Sequence, residues 1–263
     1  MLSRTWVIAA ILLFSLASFA FATPGGLLEK ADLVGYAVCH QIPSHSFSLG
    51  GRHLPLCARC TGTFLGALVG LLTQAAVLRR RQASAFPPFG ILAILIGFTL
   101  LWAGDGLNSY LALIGAPHVY EPANELRLIT GTLNGLTMSA LVYPIFNLSV
   151  WRQPADRPNI RGAYDLAVML VMEALLVAVV LSRQGLLLYP LALLSALAVV
   201  TLLASVNTVL AVILLRRENR AKTWRQALLP LTLGLLLTFL QIGVIDLIRY
   251  AATGTLGPIP TLQ

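Results

Sequence analysis

One short stretch of the chain gathers the residue types that bind metals or exchange electrons. All three cysteines and three of the four histidines lie between positions 39 and 60, in the segment CHQIPSHSFSLGGRHLPLCARC. Thiolate and imidazole are ligands for zinc and other transition metals, and paired cysteines also carry out thiol–disulfide exchange. This segment is therefore the main candidate for a functional site.

The cysteine spacing is compatible with three kinds of site. Cys57 and Cys60 form a C-x-x-C motif at the start of an apolar helix, where exposed N–H groups favour thiolate. A metal site would use both with Cys39, and with His40, His45 or His53 as the fourth ligand. A redox site would exchange Cys57 with Cys60 and use Cys39 as a resolving thiol. The remaining possibility is a structural disulfide that staples the loop. The number of ligands favours a site for zinc or another transition metal, and the other two readings stay open.

Polar residues further along the chain are expected beside this site. Asp105, Asn124 and Arg127 fall at ends of apolar segments on the same side of the membrane as the cysteines, and we predict that they form a polar wall. Arg127 lies about one turn inside its segment and needs a partner, because an unpaired charge in lipid is costly. Asp105 is the expected partner, with Glu125 or Asp246 as alternatives.

For other polar residues the sequence gives less specific predictions. Arg52 and Arg59 are expected to bind an anion or to face lipid head groups. Glu173 and Asn134 are expected near the middle of the bilayer, where Glu173 would relay protons, bind a cation, or stay protonated and hydrogen-bonded to a neighbouring helix; the last reading is favoured. Two pairs are expected to hold helices together: Asn207 with Gln241, and Asp246 with Arg249.

The composition places these residues in a membrane protein. The chain is 57% hydrophobic and 11% charged, with a mean hydropathy of +0.82, whereas soluble domains carry about 25% charged residues. Several runs reach the roughly 20 apolar residues that span a bilayer. The fold class is therefore all-α, a polytopic transmembrane helical bundle. The pI near 9.9 does not indicate nucleic-acid binding, because the basic residues lie in loops without interleaved aromatic residues.

The apolar runs predict six spans and an N-terminal segment. Residues 1–22 are predicted to be a signal peptide or a first transmembrane segment, and 23–56 a surface helix, over 25–38, followed by the Cys/His loop. Residues 57–150 form a three-span core, and 151–263 carry three further spans. The predicted spans are Cys57–Leu78, Pro88–Ala103, Leu126–Val150, Ala163–Leu181, Leu186–Leu215 and Ala227–Ile248.

Charge placement predicts the orientation. The arginine clusters at 79–81, 152–161 and 216–225 all fall on one side, which the positive-inside rule assigns to the cytoplasm. The Cys/His loop and the C-terminus are then extracytoplasmic, in a cell inner or plasma membrane, with the lipid bilayer as the expected partner.

Small residues predict which helices touch. Gly62, Gly66 and Gly70 form a double G-x-x-x-G directly after the C-x-x-C motif, and Gly131 and Gly135 form another after Arg127. Such spacing lets helix backbones approach closely. We expect these two helices to be in contact, which would bring Arg127 under the cysteine loop.

The residues Cys39-His40-Gln41, Ser46-Phe47 and Cys57-Ala58-Arg59-Cys60-Thr61-Gly62 resemble the signature of a bacterial integral-membrane family of unknown function. Asp105-Gly106 and the segment from Asn124 to Gly131 resemble its second and third motifs, so the resemblance covers about Val38 to Leu136. Position 45 departs from the pattern, since His45 stands where the family has arginine, which lowers its rank as a ligand. The resemblance implies membrane location and no particular activity.

The sequence thus predicts a multi-pass membrane protein with an outward-facing Cys/His site that binds metal. The first alternative is a membrane thiol–disulfide oxidoreductase that passes electrons to a quinone or another redox partner. The second is a transporter of a small solute or ion, built around Glu173 and Asn134. Whether the protein is an enzyme is left open.

Overall fold

A computed structural model describes residues 25–257 of the chain. The predicted signal or anchor segment at 1–22 lies outside the described residues. Within the described part, six helices are long and apolar enough to cross a membrane, which confirms the predicted six-span helical fold. Both described ends lie at the end of the bundle that carries the cysteines, since an even number of spans separates them.

The helices follow the hydrophobic pattern. A short helix α1 precedes the spans, and α2 continues through a π-helical turn at Thr73–Val77. The helices are α1 (Leu27–Tyr36), α2 (Ala58–Leu72), α3 (Phe89–Leu113), α4 (Asn124–Val150), α5 (Ala163–Leu181), α6 (Leu188–Leu214) and α7 (Trp224–Thr253). Helix α3 extends ten residues beyond the predicted end at Ala103, because the buried Asp105 is paired inside the bundle and does not force the chain into water.

Short strands close the two ends of the bundle. At the cysteine end, β1 (Ser48–Leu49) pairs antiparallel with β2 (Arg52–His53). At the opposite end, which carries the arginine clusters and is called the basic end below, β3 (Ala83–Ala85) pairs in parallel with β4 (Ala155–Pro158). The sequence analysis did not predict these strands, because two to four residues are too few to show a hydrophobic period.

Helices α2 and α4 are in direct backbone contact, as the glycine spacing predicted. A Cβ atom added to Gly62 would lie 2.3 Å from the Leu128 carbonyl oxygen, and one added to Gly135 would lie 2.3 Å from that of Thr63. Real Cβ atoms do not come this close to another heavy atom, so the two helices can adopt this separation only with glycine at these positions. This contact sets the relative positions of the residues at the cysteine end.

Helix α1 packs on the bundle. Its buried residues include Leu28, Ala31 and Val34, and Leu28 and Val34 join apolar clusters that contain residues of α2 and α6. The predicted surface helix therefore forms part of the protein core at the cysteine end, with its bounds slightly shorter than the predicted 25–38.

Of the two predicted polar pairs between or along helices, one is confirmed and one is wrong. The Asn207 side-chain amide on α6 donates to Gln241 Oε1 on α7 at 3.0 Å. Asp246 and Arg249 form no ion pair; the arginine instead reaches α1 and the cysteine loop, donating to the carbonyl of Cys39 at 2.8 Å.

Candidate functional site

The cysteine loop folds back so that three potential ligand atoms meet. The thiols of Cys39 and Cys57 and a ring nitrogen of His40 all lie within 4.8 Å of one another. The thiol of Cys60 neighbours both other thiols, although it lies outside this tightest group. All three cysteines are unbridged; Cys39 and Cys57 are buried and Cys60 is half-buried. The structure therefore gathers four of the predicted ligand residues in one pocket, called the cysteine pocket below.

Cys39 has an environment suited to a thiolate. Its sulfur accepts hydrogen bonds from the backbone N–H of Cys57 at 3.2 Å and from that of Gln41 at 3.4 Å. Interactions with the thiols of Cys57 and Cys60, together with these N–H donors, hold the pKa of the Cys39 thiol well below its usual value. Hydrogen bonds to the charged form favour ionisation even where burial opposes it.

The loop returns to the helix because Gln41 ties its two ends. The Gln41 side-chain amide donates to the carbonyl of Asp32 on α1 and to that of Pro55, both at 2.8 Å. Cys57 then caps the N-terminus of α2 with extended backbone, which places Cys60 one turn along the same helix. The positions of the sulfurs thus depend on backbone carbonyls that the sequence pattern does not reveal.

The histidines of the loop have different positions. The His40 Nδ1 atom accepts a hydrogen bond from the Ile42 N–H at 3.0 Å, and its ring packs edge-on against His45 at 5.5 Å between centroids. His45 is half-buried, and burial lowers its pKa to about 4. His53 is exposed on β2 and is not part of the group formed by Cys39, His40 and Cys57.

The polar wall forms, but its central ion pair is not the predicted one. Arg59, rather than Arg127, pairs with Asp105, through Nη2 at 2.5 Å and Nε at 3.2 Å from Oδ2. The Tyr120 hydroxyl donates to the other carboxylate oxygen at 2.8 Å. The prediction that Asp105 is the partner of Arg127 is therefore wrong. The contact between α2 and α4 brings Arg59 within reach of α3, and the fixed fork of a guanidinium suits a carboxylate there.

Arg127 lies behind the cysteine loop with uncharged partners. Its side chain donates to Asn124 Oδ1 at 2.8 Å and to Ser109 Oγ at 3.4 Å, and the residue is 5% exposed. The Asn124 amide in turn donates to the carbonyl of Ser44 at 3.0 Å. The wall thus contacts the loop through Asn124, to which Arg127 is hydrogen-bonded, whereas Asp105 is paired with Arg59 of α2.

Arg52 forms ion pairs within the protein and does not face solvent or lipid as an unpaired charge. Its guanidinium pairs with Glu29 at 2.9 Å and with Asp32 at 2.7 Å, both on α1. This pairing ties the β1–β2 hairpin to α1, and it corrects the expectation that Arg52 serves mainly as an anion or head-group contact.

Two residues of the site were missed by the sequence analysis. Arg249 of α7 holds the loop through the Cys39 carbonyl and stacks on the Tyr36 ring, with 3.8 Å between the guanidinium carbon and the ring centroid. Tyr120 donates a hydrogen bond to the second carboxylate oxygen of Asp105. An arginine near the outer end of the last span was a visible signal, but its partner is more than 200 residues away in sequence.

Comparison with known proteins finds similarity to two uncharacterized archaeal proteins. An uncharacterized protein of Methanocaldococcus jannaschii is 29% identical over 116 residues, which are 44% of this chain and 68% of that protein. An uncharacterized protein of Methanothermobacter thermautotrophicus is 29% identical over 104 residues, which are 40% of this chain and 83% of that protein. No solved structure matches the chain.

Both of these relatives are archaeal, so the expectation of a bacterial family is not supported. The similarity to a membrane family of unknown function is confirmed, and its bounds are close to the predicted 38–136. Over residues 39–141, which include the cysteine pocket and the polar wall, the chain matches the family described as Predicted membrane protein (DUF2085).

Proposed function

We propose that this multi-pass membrane protein binds a transition metal in the cysteine pocket, with zinc as the first candidate. Cys39, Cys57 and Cys60 would supply three thiolates and His40 the imidazole. The observation that carries the proposal is the convergence of the Cys39, His40 and Cys57 ligand atoms within 4.8 Å. Three thiolates with one imidazole is a usual tetrahedral zinc set.

The surroundings of the pocket fit such a metal. A metal-bound thiolate must be deprotonated, and two backbone N–H groups already donate to the Cys39 sulfur. Zinc ligands are commonly held by hydrogen bonds from an outer layer of residues. Here Gln41 and Arg249 fix the backbone on either side of Cys39. With four protein ligands and no open position, a bound metal would act as a structural tie between the loop and α2.

The test is the metal content of native protein purified in detergent without immobilised-metal chromatography. We expect about one transition-metal ion per chain, by the ligand count of a single site, and its loss in Cys57→Ser. His40→Gln should lower the content, whereas the matched variant His53→Gln should leave it unchanged, because His53 lies away from the ligand group. Substoichiometric content of every transition metal in the native protein would overturn the proposal.

A thiol–disulfide oxidoreductase is the competing function, favoured by the position of Cys57 and Cys60 at the start of α2. Thiol alkylation of the same sample separates the two functions. Three thiols that react only after a chelator is added support the metal site. Two thiols that react only after a reductant is added support a disulfide, which is either the redox pair, with a quinone or another redox partner, or a structural staple of the loop.

We further propose that the cysteine pocket faces the extracytoplasmic side. The clustering of arginines at the basic end supports this orientation. A membrane-impermeant maleimide added to intact cells with a chelator should label the cysteines. Labelling that occurs only after the cells are opened would place the cysteine pocket on the cytoplasmic side. That result would not affect the metal proposal.

A further inference from the structure

A second unusual group lies in the middle of the bundle, away from the cysteine pocket. Glu173 sits ten residues into α5, roughly 15 Å from its start at about 1.5 Å per residue. The residue is 2% exposed, and neither carboxyl oxygen has a hydrogen-bond partner among residues 25–257. A carboxylate without a partner is costly at this depth, so the carboxyl group must hold its proton.

The neighbours of this carboxyl group are uncharged. Glu173 Oε2 lies 3.3 Å and Oε1 3.6 Å from the Cβ positions that Gly66 and Gly70 of α2 lack. On α4, Thr132 and Ser139 flank the same two glycine positions. The ion pair between Arg80 and Asp165 is about two turns nearer the basic end. The glycines of α2 therefore leave room beside α5 for the carboxyl group.

A line of buried polar side chains leads from the neighbourhood of Glu173 towards the basic end. The Ser139 hydroxyl lies 2.1 Å from the same Cβ position of Gly70 that Glu173 approaches. Ser139 Oγ accepts a hydrogen bond from the Gln74 amide at 3.2 Å, and Gln74 Oε1 accepts one from the Asn159 amide at 2.7 Å. Each of these three residues is fully buried. We call Ser139, Gln74 and Asn159 the polar track.

The backbone around Gln74 and Asn159 is consistent with a functional role for the polar track. Gln74 lies in the π-helical turn Thr73–Val77 that ends the second helix, and π turns occur frequently at functional sites. Asn159 follows β4 at the basic end, where its N–H donates to Ala85. Its side-chain oxygen, like the carboxyl group of Glu173, is buried without a hydrogen-bond partner in the described part of the chain. A buried polar atom without a partner calls for an explanation, such as a functional role or a bound water molecule.

We propose that Glu173 is a proton-binding site at the centre of the membrane, and that water entering from the basic end along the polar track exchanges its proton, since the side-chain amides of Gln74 and Asn159 hold no transferable proton themselves. Glu173 is separate from the cysteine pocket and lies outside the family region at 39–141, whereas Gln74 and Ser139 of the polar track lie within it.

The first test uses dicyclohexylcarbodiimide, which reacts with protonated carboxyl groups in apolar surroundings. We expect peptide mapping of the native protein to find the adduct at Glu173 at neutral pH, with less adduct as the pH is raised. Glu173→Gln should abolish it. Glu121, whose side chain is 93% exposed, is the matched control and should react only with a water-soluble carbodiimide. Absence of the adduct at Glu173 in native protein would overturn the proposal.

The second test is infrared difference spectroscopy in H2O and D2O, which does not depend on chemical labelling. We expect a protonated carboxyl band that is absent in Glu173→Gln and that shifts in D2O. Gln74→Leu should slow this shift at least several-fold, and Ser139→Ala provides a second interruption if the first variant folds poorly. A carboxylate band at neutral pH would overturn the site, and unchanged exchange in a folded track variant would overturn the route. Metal content should be unchanged in Glu173→Gln, so failure here is distinguishable from failure of the metal proposal.

Discussion

Replacement of Asp105 tests the charge organisation of the polar wall. The Asp105 side chain is 2% exposed and the partner Arg59 side chain 18%. Asp105→Asn keeps the shape but removes the charge, so the guanidinium of Arg59 would remain buried without a counter-ion, close to that of Arg127. Breaking a buried pair by removing one partner costs about 3–5 kcal/mol. This cost lowers the folding equilibrium roughly 10²- to 10⁴-fold, at about 1.4 kcal/mol per factor of ten.

The assay is unfolding of the purified protein in detergent by heat or denaturant. Glu125→Gln is the matched control, because Glu125 and its partner Arg183 are 49% and 53% exposed and should lose nothing measurable. The double variant Arg59→Met with Asp105→Leu should recover much of the loss, since an apolar replacement of a whole buried pair is often neutral. If Asp105→Asn loses no more stability than the control, the ion pair between Arg59 and Asp105 does not stabilise the wall.

Two further predictions concern packing and pH. Gly135→Ala should cost about 1–3 kcal/mol, because its Cβ would lie 2.3 Å from a carbonyl oxygen of α2; Gly97→Ala, where a Cβ meets nothing within 4 Å, should cost little. Equal losses in the two variants would contradict the backbone contact. The pKa of His45 is lowered to about 4 by burial. The unfolded chain therefore binds this proton first, and stability should fall as the pH drops from about 6.5 towards 4. Unfolding measured across this range should show a smaller fall in His45→Gln; an identical fall would assign the pH dependence to other groups.

The span pattern could be predicted because it depends on one dominant effect. A bilayer core excludes unsatisfied backbone, so each long apolar run must become a helix. The contact between α2 and α4 was also predictable, because Gly62 and Gly135 mark places where side chains would prevent close approach. These features are encoded locally, in residues that lie within a few turns of one another.

Pairings between distant charges could not be predicted in the same way. The sequence indicated that Arg127 needs a partner and that Asp105 could supply one. It could not indicate that Arg59, on the far side of the glycine contact, would take Asp105 instead. Likewise, the hydrogen bond from Arg249 to the Cys39 carbonyl depends on how α7 packs against α1. Many geometries satisfy the requirement for a partner, and only the packed structure selects one.

The resulting charge balance bears on the chemistry of the cysteine pocket. Arg59 is paired with the carboxylate of Asp105, whereas the buried Arg127 has only uncharged hydrogen-bond partners, so the wall carries an excess of one positive charge beside the loop. Arg249 adds a further positive charge at the Cys39 carbonyl. A divalent metal with three thiolates and one imidazole carries one negative charge, which offsets part of this positive charge. A pair of neutral thiols, or a disulfide, would leave the excess uncompensated in a poorly solvated place. Electrostatics thus favours a thiolate-rich pocket over a neutral one, independently of the distances between the ligands.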